Sequence, residues 1–95
     1  MKEVVWFHRA VSSLEQIGDY IAQDNPRAAY QVIQTIRKAG ESLADHPELG
    51  RPGRVEDTRE LVVPGLPYIL PYTIMNDRIV ILHVLHTARK WPEVF

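Results

Sequence analysis

The chain has 95 residues, 45% of them hydrophobic and 24% charged, a formal net charge of −1 and no cysteine. This length predicts a single domain over residues 1–95, and the missing cysteines exclude disulfides and thiolate sites and fit a reducing cytoplasm. The charge balance argues against broad coating of nucleic acid, and no stretch approaches the ~20 apolar residues of a membrane span.

The first half of the chain predicts a strand followed by a helix. Lys2–Phe7 is rich in β-prone residues. The helix runs from about Arg9 to Asp24, because apolar residues recur there at steps of three and four. These residues are Ala10, Leu14, Ile17 and Ile21.

A second helix begins at Asn25-Pro26. Asparagine is a favoured N-cap, and proline suits the first helical position because its missing N–H would be unpaired there anyway. The helix runs to about Asp45, and Pro47 stops it. Small residues on its apolar face predict a tightly packed helical hairpin.

The second half predicts a loop and three strands. Residues 46–57 are rich in proline and glycine. Strands then follow at about Thr58–Val63, Tyr68–Met75 and Arg78–His86, with a two-residue turn at Asn76-Asp77. Pro71 lies inside the middle one and cannot donate to a ladder, so it marks an edge or a bulge.

The last strand is apolar on both faces, which is typical of a central strand covered on both sides. The helical hairpin can cover only one of them. Either the Arg51–Asp57 loop and the C-terminal tail cover the second face, or another chain does. The element order therefore predicts an α+β fold, β-α-α-β-β-β, with the helical hairpin on one face of a small antiparallel sheet.

Cationic residues are the first candidates for a functional site. Three arginines fall within nine residues and a fourth follows the last strand, so they could converge on one phosphate group. Alternatively, they form surface ion pairs with the neighbouring glutamates and aspartate. The four are Arg51, Arg54, Arg59 and Arg89.

Two histidines in the last strand could support acid–base chemistry such as RNA cleavage. His83 and His86 are three residues apart, so on one strand they face opposite sides and cannot share a metal. His83 sits among isoleucines and fits a core residue, whereas His86 lies at the strand end. No spacing typical of a metal or cofactor site is present, so we expect neither.

The basic aromatic tail is a candidate for contact with a partner. Lys90 and Trp91 follow Arg89 directly, and a tryptophan beside basic residues can stack on a base or fill a protein pocket.

Several short motifs together resemble the RelE/ParE toxin superfamily. They are His46-Pro47-Glu48-Leu49-Gly50-Arg51, Thr58-Arg59-Glu60-Leu61, Pro67-Tyr68-Ile69, Ile81-Leu82-His83-Val84-Leu85-His86 and Arg89-Lys90-Trp91-Pro92. The resemblance covers nearly the whole chain and implies the fold given above. It also implies a type II toxin held inactive by a cognate antitoxin in a hetero-oligomer, the antitoxin covering part of the sheet.

The resemblance leaves two toxic mechanisms open. RelE-like members cut messenger RNA on the ribosome, and ParE-like members poison DNA gyrase. For the first, Arg59, His86 and Arg89 would be catalytic. The target-binding candidates are Arg51, Arg54, Lys90 and Trp91. The lysine cluster of RelE-like nucleases is missing, and a third possibility is a non-toxic relative that serves as a protein-binding module or co-repressor.

Overall fold

The computed structural model describes residues 1–88 and Trp91. Two helices, one 3-10 turn and six strands make up this part of the chain. The helical elements are α1 (His8–Ala22), α2 (Pro26–Glu41) and the 3-10 turn Ser42–Ala44. The strands are β1 (Glu3–Trp6), β2 (Arg51–Pro52), β3 (Arg59–Val62), β4 (Tyr68–Met75), β5 (Arg78–Ile81) and β6 (Leu85–His86).

The strands form one mixed sheet in the order β1-β5-β4-β3-β2, with β6 also paired to β4. The predicted α+β class and element order are confirmed, but the sheet is not wholly antiparallel. Strand β1 runs parallel to β5, and the long connection between them, which includes both helices, supplies the crossover that a parallel pair requires. The other pairs are antiparallel, and β2 is a short strand inside the predicted loop.

Local sequence accounts for both helices. The Asn25 side chain accepts a hydrogen bond from the Ala28 N–H at 3.1 Å, so the predicted cap is confirmed. Helix α2 ends at Glu41, about four residues before the predicted end, and tightens into the 3-10 turn. No helix in the described residues is long and apolar enough to cross a membrane.

The main core lies between the helices and one face of the sheet, which we call the helix face. Alternate residues of the strands point into it, as the pleat requires. Its buried members are Ala10, Leu14, Ile36, Leu43, Leu61, Val63, Leu70, Tyr72, Ile79, Ile81 and Val84.

A bulge at Pro71 divides the predicted last strand in two. Tyr72 pairs with Ile81 and Ile69 pairs with Leu85, so two residues of β4 oppose the three residues 82–84. Pro71 accepts a hydrogen bond from the Leu82 N–H at 2.8 Å but has no N–H to return. The ladder therefore breaks there, and the alternation of side chains restarts after the break.

The face opposite the helices, the outer face, is partly covered by the chain itself. Ile69 and Leu85 are buried there although they lie outside the main core. The Thr73 hydroxyl donates to the Asp57 carbonyl at 2.9 Å and the Glu60 side chain accepts from the Arg54 N–H, so the loop after β2 contacts this face. Val62 nevertheless remains 47% exposed. Of the two predicted covers, the loop accounts for part of the surface.

Candidate functional site

The buried phenol of Tyr72 holds the loop that precedes β2. Its hydroxyl donates to the Pro47 carbonyl at 2.7 Å and accepts from the Gly50 N–H at 2.8 Å. The ring has no exposed surface, and burial raises the pKa of this phenol above its usual value. Tyr72 therefore stays neutral and ties both ends of residues 47–50 to β4.

Arg59, predicted as a catalytic cation, contacts the same loop. Its Nη1 donates to the Gly50 carbonyl at 2.6 Å and lies 3.4 Å from the Glu48 carbonyl oxygen. The first contact is short and charge-assisted, so it is the stronger of the two. Arg59 also lines a cavity of about 370 Å³ with Pro52, Asp57, Thr58, Thr73 and Ile74. Its guanidinium is thus committed at least in part to the protein's own main chain.

Glu60 organises the other two arginines of the cluster. Its side chain is 3% exposed on the outer face, and Oε1 lies 3.3 Å from both Nε and Nη2 of Arg51. Its Oε2 accepts from the Arg54 main-chain N–H at 2.9 Å. A buried carboxylate needs such partners, because an unpaired charge in this position would be costly. The negative charge of Glu60 offsets the positive charge that Arg51 would offer to a phosphate.

Arg54 and Trp91, both predicted to bind a target, contact one another. The Arg54 guanidinium lies 3.8 Å from the centroid of the Trp91 ring, within the range of a cation–π interaction. Arg54 therefore makes two separate contacts, with Glu60 through its main chain and with Trp91 through its guanidinium. Arg89 and Lys90, the other predicted tail residues, lie outside the described residues.

His86 lies at a different end of the sheet from Arg59. Its Nδ1 accepts from the Ala88 N–H at 3.1 Å, and its ring meets Tyr68 edge-on at 5.4 Å. His86 pairs with Tyr68, whereas Arg59 pairs with Tyr72, four residues along β4. That separation is roughly 13 Å along the strand. The two predicted catalytic residues are therefore not brought together.

His83 occupies the bulge and contacts α1. Its Nδ1 accepts from the Val84 N–H at 3.0 Å and lies 3.1 Å from the Ser13 hydroxyl oxygen. The same Nδ1 lies 3.3 Å from the Val84 carbonyl oxygen, so its role as donor or acceptor follows from the tautomer of the ring. His83 is half-buried, and its contact with Ser13 of α1 puts it on the side of the helices, where Ile79 and Ile81 also lie.

Two side chains that organise this region, Tyr72 and Glu60, were not predicted as functional residues. In the sequence, Tyr72 looks like an ordinary aromatic residue of an apolar strand. Glu60 looks like a surface residue that pairs with an arginine. In the sequence, Gly50 is the residue that could have indicated this packing. A Cβ at this position would lie 2.6 Å from the Tyr72 ring and 2.9 Å from the Glu60 carbonyl oxygen. A glycine in a proline-rich loop can mark such a close approach.

A second cavity, of about 420 Å³, lies between the helices and β1, and we call it the hairpin groove. Its residues are Trp6, Val11, Leu14, Glu15, Gly18, Asp19, Ile33 and Arg37. The floor is apolar and the rim carries charges of both signs. A groove of this kind suits an amphipathic segment of a protein partner. Within the described residues, no cluster of three or more histidine or acidic side chains could hold a metal ion.

Comparisons with known proteins agree with this fold. The sequence profile described as "ParE toxin of type II toxin-antitoxin system, parDE" matches residues 4–91. The toxin-designated protein Y4kP of Sinorhizobium fredii is 46% identical over 93 residues, covering 98% of this chain and 96% of that protein. Toxin RelE2 of Caulobacter vibrioides is 37% identical over 89 residues, covering 94% and 99%.

A solved structure has the same architecture. A chain of the chromosomal ParDE TA system from P. aeruginosa superimposes with a TM-score of 0.82 at 26% identity, covering 90% of this chain and 96% of that chain. These matches do not favour the alternative of a non-toxic binding module. The chain belongs to the ParE toxin family, and it is the toxin of a type II toxin–antitoxin system whose partner is an antitoxin.

Proposed function

We propose that this toxin acts by binding and inhibiting DNA gyrase, the ParE-like mechanism, and not by cleaving messenger RNA. The observation that carries the proposal is the Arg59 guanidinium, which donates to the Gly50 carbonyl at 2.6 Å. A cation that stabilises a phosphorane-like transition state has to reach the substrate, and this one is engaged with a loop. Arg59 also lies far from His86, the histidine that would act as base. Their partners on β4, Tyr72 and Tyr68, are roughly 13 Å apart along the strand.

The charge around the arginine cluster supports the same proposal. RNA cleavage needs a surface that attracts phosphate. The attraction grows with the number of cations that are free to contact phosphates. Here Glu60 places a carboxylate between Arg51 and the Arg54 main chain, and Trp91 covers the Arg54 guanidinium. A surface with paired charges and an aromatic side chain suits a protein target better than a nucleic acid.

The hairpin groove is the site that we assign to the antitoxin. It combines an apolar floor from Trp6, Leu14 and Ile33 with charged residues at its rim. An amphipathic antitoxin segment could bury its apolar side there and pair its charges with Glu15, Asp19 and Arg37. Occupation of this groove would neutralise the toxin if it also blocked access to gyrase.

Cleavage of mRNA is the second candidate, because two relatives carry RelE names, RelE2 and RelE3 of Caulobacter vibrioides. On this mechanism Arg59, His86 and Arg89 are catalytic, and Arg51, Arg54, Lys90 and Trp91 bind the target. The mechanism requires a movement that brings Arg59 and His86 to one substrate.

One induction experiment separates the two mechanisms. The toxin is expressed briefly with and without its antitoxin, plasmid supercoiling is measured, and primer extension is run on abundant mRNAs. Purified gyrase is assayed beside it. We expect blocked supercoiling or trapped DNA cleavage complexes, intact mRNA, and recovery when the antitoxin is present. Ribosome-dependent cuts in mRNA with normal supercoiling would contradict the proposal.

Two histidine variants, one of them a control, help to distinguish the two mechanisms. His86→Ala removes the proposed base of the nuclease mechanism, and His8→Ala removes an exposed histidine at the start of α1. On the gyrase mechanism both variants inhibit supercoiling as the wild type does. On the nuclease mechanism only His86→Ala loses activity, by about 10²–10⁴-fold.

A further inference from the structure

Residues 46–50, which we call the Leu49 loop, expose a large apolar side chain on a rigid support. The loop connects the 3-10 turn to β2, and Leu49 is 57% exposed at its surface. An exposed leucine alone is unremarkable, because apolar atoms make up much of any protein surface. The hydrogen bonds beneath it are what distinguish this position.

Four contacts fix the loop. The Leu49 N–H donates to the His46 carbonyl at 3.1 Å, which closes a turn within the loop. Tyr72 binds both the Pro47 carbonyl and the Gly50 N–H, and Arg59 donates to the Gly50 carbonyl. Two buried or half-buried side chains thus hold the main chain on either side of Leu49 in one conformation. A binding element that is already ordered loses little conformational entropy when it meets its partner.

The charges beside Leu49 define the kind of surface that it fits. Asp45 and Glu48 are exposed, and neither forms an ion pair with any other described residue. Their carboxylates repel the phosphates of a nucleic acid. They would instead complement a protein surface on which basic side chains surround an apolar pocket.

We infer that the Leu49 loop is the contact through which this toxin binds its protein target, with Leu49 inserted into an apolar pocket rimmed by basic side chains. The inference rests on the proposed function, in which the target is gyrase. Side chains that fill a central, desolvated pocket carry a large share of an interface's binding energy. No residue of the loop lines the hairpin groove, so a toxin with an altered Leu49 should still bind its antitoxin.

The test uses Leu49→Ala and Leu49→Lys, with Val62→Ala as the matched control. Val62 is also a large aliphatic residue that is about half exposed, on β3. Each variant is compared with the wild type for thermal unfolding, antitoxin affinity, inhibition of gyrase supercoiling, and growth arrest on induction. We expect the Leu49 variants to unfold and bind antitoxin as the wild type does, and to need at least tenfold more toxin for half-inhibition of gyrase. Val62→Ala should change none of these.

Each remaining outcome decides a separate point. Inhibition by Leu49→Ala at the wild-type concentration would overturn the inference and leave the gyrase proposal intact. Equal loss of antitoxin binding and inhibition would also overturn it, because the loop would then not be specific for the target. If wild-type toxin left gyrase unaffected, the proposed function would fail. Growth arrest would then decide the inference, which fails if Leu49→Ala arrests growth fully and stands if arrest is lost.

Discussion

The Arg59 guanidinium donates to the main-chain carbonyl of Gly50 at 2.6 Å, across the junction between β3 and the Leu49 loop. The contact joins a half-buried cation to a glycine on which Tyr72 is tightly packed. The guanidinium satisfies a carbonyl that no strand partner reaches. Arg59 therefore acts mainly to stabilise the loop. That gives Arg59 a physical role even where it touches no substrate.

Replacing Arg59 therefore tests a structural role against a catalytic one. Arg59→Ala should lower the free energy of unfolding by about 1.5–3 kcal/mol, the usual value for a hydrogen bond to a charged group. Urea denaturation followed by circular dichroism measures this. Arg27→Ala, at an exposed position on α2, serves as control and should stay within about 0.5 kcal/mol of the wild type. A variant with lost activity and unchanged stability would point to catalysis instead.

Removing the Tyr72 hydroxyl should destabilise the protein in a way that depends on pH. Tyr72→Phe leaves the Pro47 carbonyl and the Gly50 N–H without their partner, which costs about 1–3 kcal/mol at neutral pH. Burial raises the pKa of this phenol above its ordinary value of about 10, so the folded protein holds the proton more tightly than the unfolded chain.

It follows that the stability contributed by Tyr72 is present below about pH 10 and is lost as the pH rises further. Urea midpoints measured between pH 8 and 11 should fall more steeply for the wild type than for Tyr72→Phe. Parallel pH curves for the two proteins would show that the phenol is not held neutral by the fold. Tyr20→Phe, at an exposed tyrosine on α1, should follow the wild-type curve.

Glu60→Gln should weaken the attachment of the 51–57 loop. The amide that replaces one carboxylate oxygen presents a donor to Arg51 or to the Arg54 N–H, and both already donate. We expect a loss of about 1–2 kcal/mol, since Arg51 is largely exposed and can return to water. Differential scanning calorimetry measures the change. Glu56→Gln, on an exposed side chain of the same loop, provides the comparison and should leave unfolding unchanged.

Two helical glycines should respond differently to alanine. At Gly40 a Cβ would lie 2.5 Å from the Trp6 ring and 2.8 Å from Ile81, so Gly40→Ala should cost about 1–3 kcal/mol. At Gly18 the nearest atom is the end of the Ile33 side chain at 3.3 Å. Ile33 can shift, and the gain of up to about 1 kcal/mol in helix propensity should make Gly18→Ala neutral or stabilising. Thermal melting of both variants decides this, and equal destabilisation would contradict the close packing of α2 on β1.

Periodicity and local signals predicted most of the architecture. The Asn25 cap, the two helices and the turn at Asn76 depend on residues close in sequence, so short-range reasoning found them. The parallel pairing of β1 and β5 depends on contacts between distant segments, which no local pattern encodes. Pro71 did signal a bulge, but the shift in register between β5 and β6 follows only from the three-dimensional ladder.

The candidate site was harder to predict for the same reason. Sequence spacing grouped Arg51, Arg54 and Arg59 by their charge, but not by the faces of the sheet on which they lie. Arg59 shares the helix face with Tyr72, whereas Arg51 and Glu60 lie on the outer face. Alternation along β3 therefore divides the cluster. The partners of each arginine come from segments that meet only in the folded chain, and these partners decide which cations remain available to a ligand.

The pairing of β1 with β5 also determines when the sheet can be completed during synthesis. Glu3 aligns with Arg78, 75 positions later, so the first strand to leave the ribosome waits for one of the last. Tyr72 and Arg59, which fix the Leu49 loop, are likewise made after it. Contacts this far apart in sequence form slowly. A newly made chain consequently cannot complete its sheet or the support of the Leu49 loop until the strands β3 to β5 have been translated.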